Sequence, residues 1–135
     1  MPESSAGESS TSTRALKIAV SICSIVPMSA GAAGVLLGPG FFGGSGAESA
    51  DLDGHFRYLS GLLLGIGLAY ASGVPGIERR QSRFLLLGAI VVVGGLGRLL
   101  SVLLMGDASP TMIFALTMEL VVTPSLTIWQ RRIAR

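Results

Sequence analysis

Four apolar runs, each about as long as a lipid bilayer is thick, constrain this chain more than any other feature. They cover residues 16–37, 56–72, 84–105 and 112–129. A hydrocarbon core about 30 Å thick takes about 20 helical residues, with about 17 to 25 accepted. The runs are rich in Leu, Val, Ala and Gly and lack the strict alternation of a barrel strand. Backbone groups in lipid must bond within their own segment, and that requirement leaves helices. Gly38-Pro39-Gly40, Gly73-Val74-Pro75-Gly76 and Gly106-Asp107-Ala108-Ser109-Pro110 separate the runs. The expected fold is an all-α integral membrane four-helix bundle.

Composition agrees. Only 13% of residues are charged, against about 25% in a soluble domain whose surface must face water. The basic residues flank apolar segments and form no stripe with interleaved aromatics, so a nucleic-acid partner is not expected. Cys23 is the sole cysteine, which excludes an internal disulfide and a cysteine-based metal cluster.

The flanks give a direction. Arg14 and Lys17 stand at the start of the first run, Arg79, Arg80 and Arg83 fill the middle turn, and Arg131, Arg132 and Arg135 follow the last. The remaining loops hold Glu48, Asp51, Asp53 and Asp107. Basic residues are retained on the cytoplasmic side, so both termini and the middle turn are expected inside, with Trp129 as an interfacial anchor. Residues 1–14, mostly Ser, Thr, Glu and Gly, read as a disordered cytoplasmic tail before a membrane domain over 15–135. The competing reading is a cleaved signal peptide, with residues 18–26 as its apolar region and Ala30-Gly31-Ala32 as its cleavage site. It would leave three helices.

Charges inside the runs are the candidate site. Arg98 and Glu119 each lie about seven residues from the outer end of their helices, roughly 10 Å below the interface. Equal depth on sequential antiparallel helices predicts an Arg98–Glu119 pair. An unpaired charge at that depth costs at least about 2.5–3.5 kcal/mol. Side chains lean toward the helix N-terminus, so Arg98 leans inward and snorkelling is the weaker alternative. Gly94, Gly95, Gly97 and Ser101 leave space around Arg98, and Pro124 predicts a bend in helix four just below the acid. On helix two, Arg57, Gly61, Gly65 and Ala69 share a face, with His55 and Tyr58 near its outer end. Gly61-Leu62-Leu63-Leu64-Gly65 is a small-xxx-small motif for close helix approach, as are Ala30, Gly34 and Gly38 on helix one. The ligand-binding candidates are thus Arg57, Tyr58, Arg98, Glu119 and His55. Two arginines against one glutamate leave positive charge for an anionic or carbonyl-bearing ligand. Structural roles fall to Gly61, Gly65, Gly94, Gly95 and Pro124. Glu119 is the one catalytic candidate.

Asp51-Leu52-Asp53-Gly54-His55 lacks the further ligands of a calcium loop, and Asp53 as the cap of helix two is the simpler reading. Gly94-Gly95-Leu96-Gly97 lacks the strand–turn–helix setting of a nucleotide loop. No metal and no cofactor is expected.

The stretches His55-Phe56-Arg57-Tyr58-Leu59-Ser60-Gly61, Gly95-Leu96-Gly97-Arg98-Leu99-Leu100-Ser101 and Met118-Glu119-Leu120-Val121-Val122-Thr123-Pro124 resemble the bacterial domain of unknown function 4345 family. The resemblance covers residues 15–135 and marks Arg57, Gly61, Arg98, Glu119 and Pro124 as family-like positions. It implies a small four-helix protein of the bacterial cytoplasmic membrane and carries no activity. A looser likeness to DoxX-like membrane proteins is fold-level analogy. The expected function is an accessory subunit or a lipid or small-ligand binder. The alternatives are a membrane-embedded enzyme or redox partner acting on a lipid-soluble carbonyl or quinone-like substrate, and an oligomeric small-molecule exporter. Expected partners are the lipid bilayer and either another membrane protein or further copies of the chain.

Overall fold

The first apolar run folds as a helix that begins well before it. The computed structural model describes residues 3–45 and 49–134, and α1 spans Glu3–Leu37. The tail expected to be disordered is therefore helical from Glu3. Nucleation is the costly step in helix formation, and the apolar run has already met it, so each further residue adds one bond for one ordered residue. The Thr11 hydroxyl also donates back to the Gly7 carbonyl at 3.0 Å. Glu48 and Arg135, assigned above to an outer loop and to the last basic group, lie outside the described residues.

Three more helices follow: α2 over Ala50–Ala71, α3 over Gln81–Met105 and α4 over Pro110–Ile133. No strand occurs among the described residues. Ser49 caps α2 by accepting from the Leu52 amide, and Ser109 caps α4 by accepting from the Met112 amide with Pro110 in the first turn. Asp53, expected as the cap of α2, instead sits in its first turn. Gly106 ends α3 at φ 73°, where glycine carries no Cβ penalty.

Three segments are long and apolar enough to cross a membrane: Ser10–Leu37, Gln81–Met105 and Pro110–Ile133. At 1.5 Å per residue they measure about 36–42 Å. The second helix is not among them. It is 22 residues long, but Asp51, Asp53, His55 and Arg57 fill its first two turns. Its apolar part is limited to residues 59–71, about 20 Å of helix. On α3, Val93, Leu96, Leu100, Leu103 and Leu104 are all more than half exposed, an apolar exterior suited to lipid.

The chain divides into two compact units, residues 19–74 and residues 1–18 with 75–135. In the first, the later part of α1 packs on α2 through glycines. A methyl group placed on Gly31 would stand 2.5 Å from the Leu64 nitrogen and 2.7 Å from the Ser60 oxygen. Gly34 meets the Ser60 side chain, and Gly67 faces Met28 and Pro27. Gly61 and Gly65 have no such neighbour: the nearest atom to the former is Val35 Cγ2 at 3.8 Å, and nothing lies within 4 Å of the latter.

In the second unit, α3 and α4 run antiparallel. Gly95 lies against Glu119 and Leu120, Gly88 against Thr127, and the Gln130 amide donates to the Ile77 carbonyl at 2.7 Å. The deepest side chains of this unit are Leu16, Ile77, Phe84 and Gln130. Gly94, expected beside Gly95 as a packing residue, has open space around it.

Candidate functional site

Helix α4 changes character where its acid sits. Residues Pro110–Thr117 are α-helical, Met118–Val122 form a π-helical stretch, and Thr123–Ile133 are α-helical again. Pro124 accounts for it. Without an N–H it cannot close an α-type bond to the Leu120 carbonyl, and the ladder shifts to longer bonds. The Thr123 amide and hydroxyl both donate to the Met118 carbonyl, the hydroxyl at 2.8 Å. The bend expected at Pro124 takes this form, with Glu119 inside the wide turn.

Glu119 meets Arg98 in a two-pronged ion pair. Arg98 Nε donates to Oε2 at 2.9 Å and Nη2 donates to Oε1 at 3.0 Å. The glutamate side chain is 16% exposed and the arginine 36%. This fork matches the plane of a guanidinium to that of a carboxylate. Gly95 makes the approach feasible, because a side chain there would strike Glu119 Cβ and Leu120 Cδ2, each at 2.8 Å. The remaining contact of Arg98 is weak: Nη1 lies 3.7 Å from the thioether sulfur of Met112. A guanidinium has five N–H groups. Two of those on Arg98 have no acceptor among the described residues, and the others hold the carboxylate and the sulfur.

Arg57 is spent elsewhere. Its Nε donates to Asp53 Oδ2 at 2.7 Å, and its Nη1 donates to the carbonyls of Val35 at 2.6 Å and Leu36 at 3.3 Å. Those carbonyls belong to the last turn of α1, where helical carbonyls lack partners and the helix dipole is negative. Arg57 therefore closes the end of α1 and neutralises Asp53. Gly38 admits it: its φ of 72° and ψ of −173° suit glycine alone, and a methyl there would stand 2.6 Å from Arg57 Nη2. The excess positive charge inferred from two arginines and one glutamate is absent, since each arginine has its own acid. Gly38→Ala should lower the thermal midpoint of the detergent-purified protein by several degrees in far-UV circular dichroism. An unchanged midpoint would contradict the role given to Arg57.

His55 is exposed, and its Nδ1 donates to the Asp51 carbonyl at 3.0 Å. Tyr58 is 65% exposed and has no polar partner among the described residues. Neither His55 nor Tyr58 makes a polar contact with Arg57 among the described residues. No group of three His, Cys, Asp or Glu side chains that could hold a metal occurs among the described residues.

A third polar cluster lies at the far end of α4. Trp129 Nε1 donates to Ser12 Oγ at 3.1 Å, and Lys17 Nζ lies 3.6 Å from Glu78 Oε2. The Glu78 carboxyl is held below its ordinary value, first by its own backbone amide and then, against some burial, by the charge of Lys17.

Met112, Asp53, Gly31 and Gln130 were not among the candidates drawn from sequence. Only Asp53 carried a clear signal, as an acid four residues before an arginine on one helix.

A family model described as a domain of unknown function (DUF4345) matches residues 15–130. It supports that part of the resemblance and not the DoxX-like part. No curated protein and no solved structure matches the chain.

Proposed function

The chain belongs to the DUF4345 family of unknown function, and from that premise we propose that it is a non-catalytic binding protein of the bacterial cytoplasmic membrane. In this reading all four helices cross the bilayer, and α2 completes its crossing with its polar first turns at the outer interface. Both termini and the middle turn face the cytoplasm, following the basic residues. The Arg98–Glu119 pair lies at membrane depth and fixes the register of α3 and α4.

One observation carries the reading: the pair is closed on the acid and open on the arginine. Both oxygens of Glu119 are held by Arg98, so no acid stands ready to take a proton from a substrate. Arg98 keeps N–H groups for which the nearby alternative is a thioether. In lipid an unbonded N–H is costly. An acceptor oxygen on a lipid or small lipid-soluble ligand satisfies it, and the neutralised pair favours an uncharged acceptor over an anion. The enzyme reading, with Glu119 as proton acceptor, draws its support from the π-helical stretch at that residue, a feature frequent at functional sites.

The test is co-purification in mild detergent followed by mass spectrometry of retained lipids, small molecules and proteins, for wild type and Arg98→Lys. Lysine keeps the charge opposite Glu119 and loses the forked donors. The expected result is a stoichiometric lipid-soluble species in the wild type that drops at least about ten-fold in Arg98→Lys at similar yield. A stoichiometric protein in its place would select the accessory-subunit form. A wild type that retains neither would overturn the proposal.

A further inference from the structure

Three chain segments that are far apart in sequence meet at one end of the unit formed by residues 1–18 and 75–135. The start of α1 is tied to the turn before α3 by Lys17 and Glu78, 3.6 Å apart. It is tied to the end of α4 by the 3.1 Å bond from Trp129 to Ser12. The end of α4 is tied to the turn by Gln130, fully buried, whose amide donates to the Ile77 carbonyl. Each segment brings arginines: Arg14 from α1, Arg79, Arg80 and Arg83 from the turn and its helix, and Arg131 and Arg132 from α4. Arg14, Arg79, Arg131 and Arg132 are exposed. Over residues 10–18, 75–83 and 127–134 the single acid is Glu78, and Lys17 already faces it.

The basic end borders apolar surface at once. Ile18 is 53% exposed beside Lys17, Leu85 and Leu86 are 46% and 62% exposed beyond Arg83, and Ile128 is 52% exposed before Arg131. A partner matching both parts carries anionic oxygens and hydrocarbon chains in one molecule. Nucleic acid and acidic peptide supply the first without the second.

We propose that this end is a docking surface for the phosphate headgroups of anionic phospholipids, built jointly by the start of α1, the turn before α3 and the end of α4. The inference rests on the membrane-spanning reading above. Guanidinium groups pair with phosphate through two parallel bonds, and clusters of basic residues beside a membrane helix attract anionic lipid. The three ties hold the segments that carry the arginines together before any lipid arrives, so little backbone order is lost on docking.

Trp129, the sole tryptophan, sits at this end and reports on it directly. The full chain is reconstituted in phosphatidylcholine vesicles to which acyl-brominated phosphatidylglycerol or acyl-brominated phosphatidylcholine is added, and quenching of its fluorescence is measured. The expected result is a relative association constant at least about five-fold higher for the brominated phosphatidylglycerol, the factor one surface arginine contributes. In Arg79→Gln/Arg131→Gln/Arg132→Gln the ratio should fall close to one, and in the corresponding triple lysine variant it should stay raised. Equal quenching of the wild type by both lipids, or a preference that survives the glutamine substitutions, overturns the docking surface and leaves the membrane reading standing. Absence of quenching by either lipid overturns the membrane reading, and this inference with it.

Discussion

Glu119→Ala should remove most of the folded protein from the membrane fraction. The substitution strands Arg98, which cannot shed its proton and whose strongest partners are the two oxygens of Glu119. Deleting one partner of a fully buried pair costs about 3–5 kcal/mol, and with Arg98 36% exposed the loss here falls below that range while still a sizeable share of a small domain's stability. Glu119→Gln should be milder, because an amide oxygen still accepts one bond. The double exchange Arg98→Glu/Glu119→Arg should recover much of the yield if the pair only joins α3 to α4. It should not recover a ligand held by the open N–H groups of Arg98. The readout is detergent-extractable monodisperse protein on size exclusion. Normal yield of Glu119→Ala would sink the assignment of the pair as a structural join.

A comparable loss is expected from Gly31→Leu. The atoms facing Gly31 are backbone, Leu64 nitrogen and α-carbon and the Ser60 oxygen, all within 2.8 Å of where a β-carbon would go. Backbone cannot turn aside as a side chain can, so α1 and α2 must separate. Overpacking of this kind costs about 1–3 kcal/mol and occasionally more. Gly61→Ala and Gly65→Ala should instead be neutral or slightly stabilising, because alanine favours helix by about 0.5–1 kcal/mol and no atom crowds either position. Thermal midpoints of the three variants in one detergent would decide. A Gly61→Ala as damaging as Gly31→Leu would reverse the assignment of the α1–α2 seam.

These contrasts mark how far the sequence could be read. The helices and their order were legible, because apolar runs in a chain that meets lipid have one solution. The meeting of Arg98 with Glu119 was legible because a short loop between antiparallel helices sets residues at equal distance from it opposite each other. The partners of Arg57 were half hidden. Asp53 stands at the spacing of a helical ion pair, but the carbonyls of Val35 and Leu36 are backbone and leave no mark in a string of side chains. Glycine spacing on α2 named a face without telling which way it turns. The seam runs instead through Gly31 and Gly34 on α1, opposite Ser60 and Leu64. The proline at 124 was visible, whereas the wide turn it produces depends on how Met118 and Thr123 share a bond.

That wide turn settles a mismatch in counting. The two tight positions of α3, Gly88 and Gly95, are one heptad apart, and α4 answers them with Thr127 and Glu119, which are eight residues apart. On a regular α-helix eight residues overshoot two turns by about 80°, whereas the seven on α3 fall about 20° short, so the two contacts would be out of line. A π-helical stretch takes more residues per turn and absorbs the surplus. Helix α4 thus carries one residue more than its neighbour's spacing calls for, and the wide turn keeps both Glu119 and Thr127 against α3.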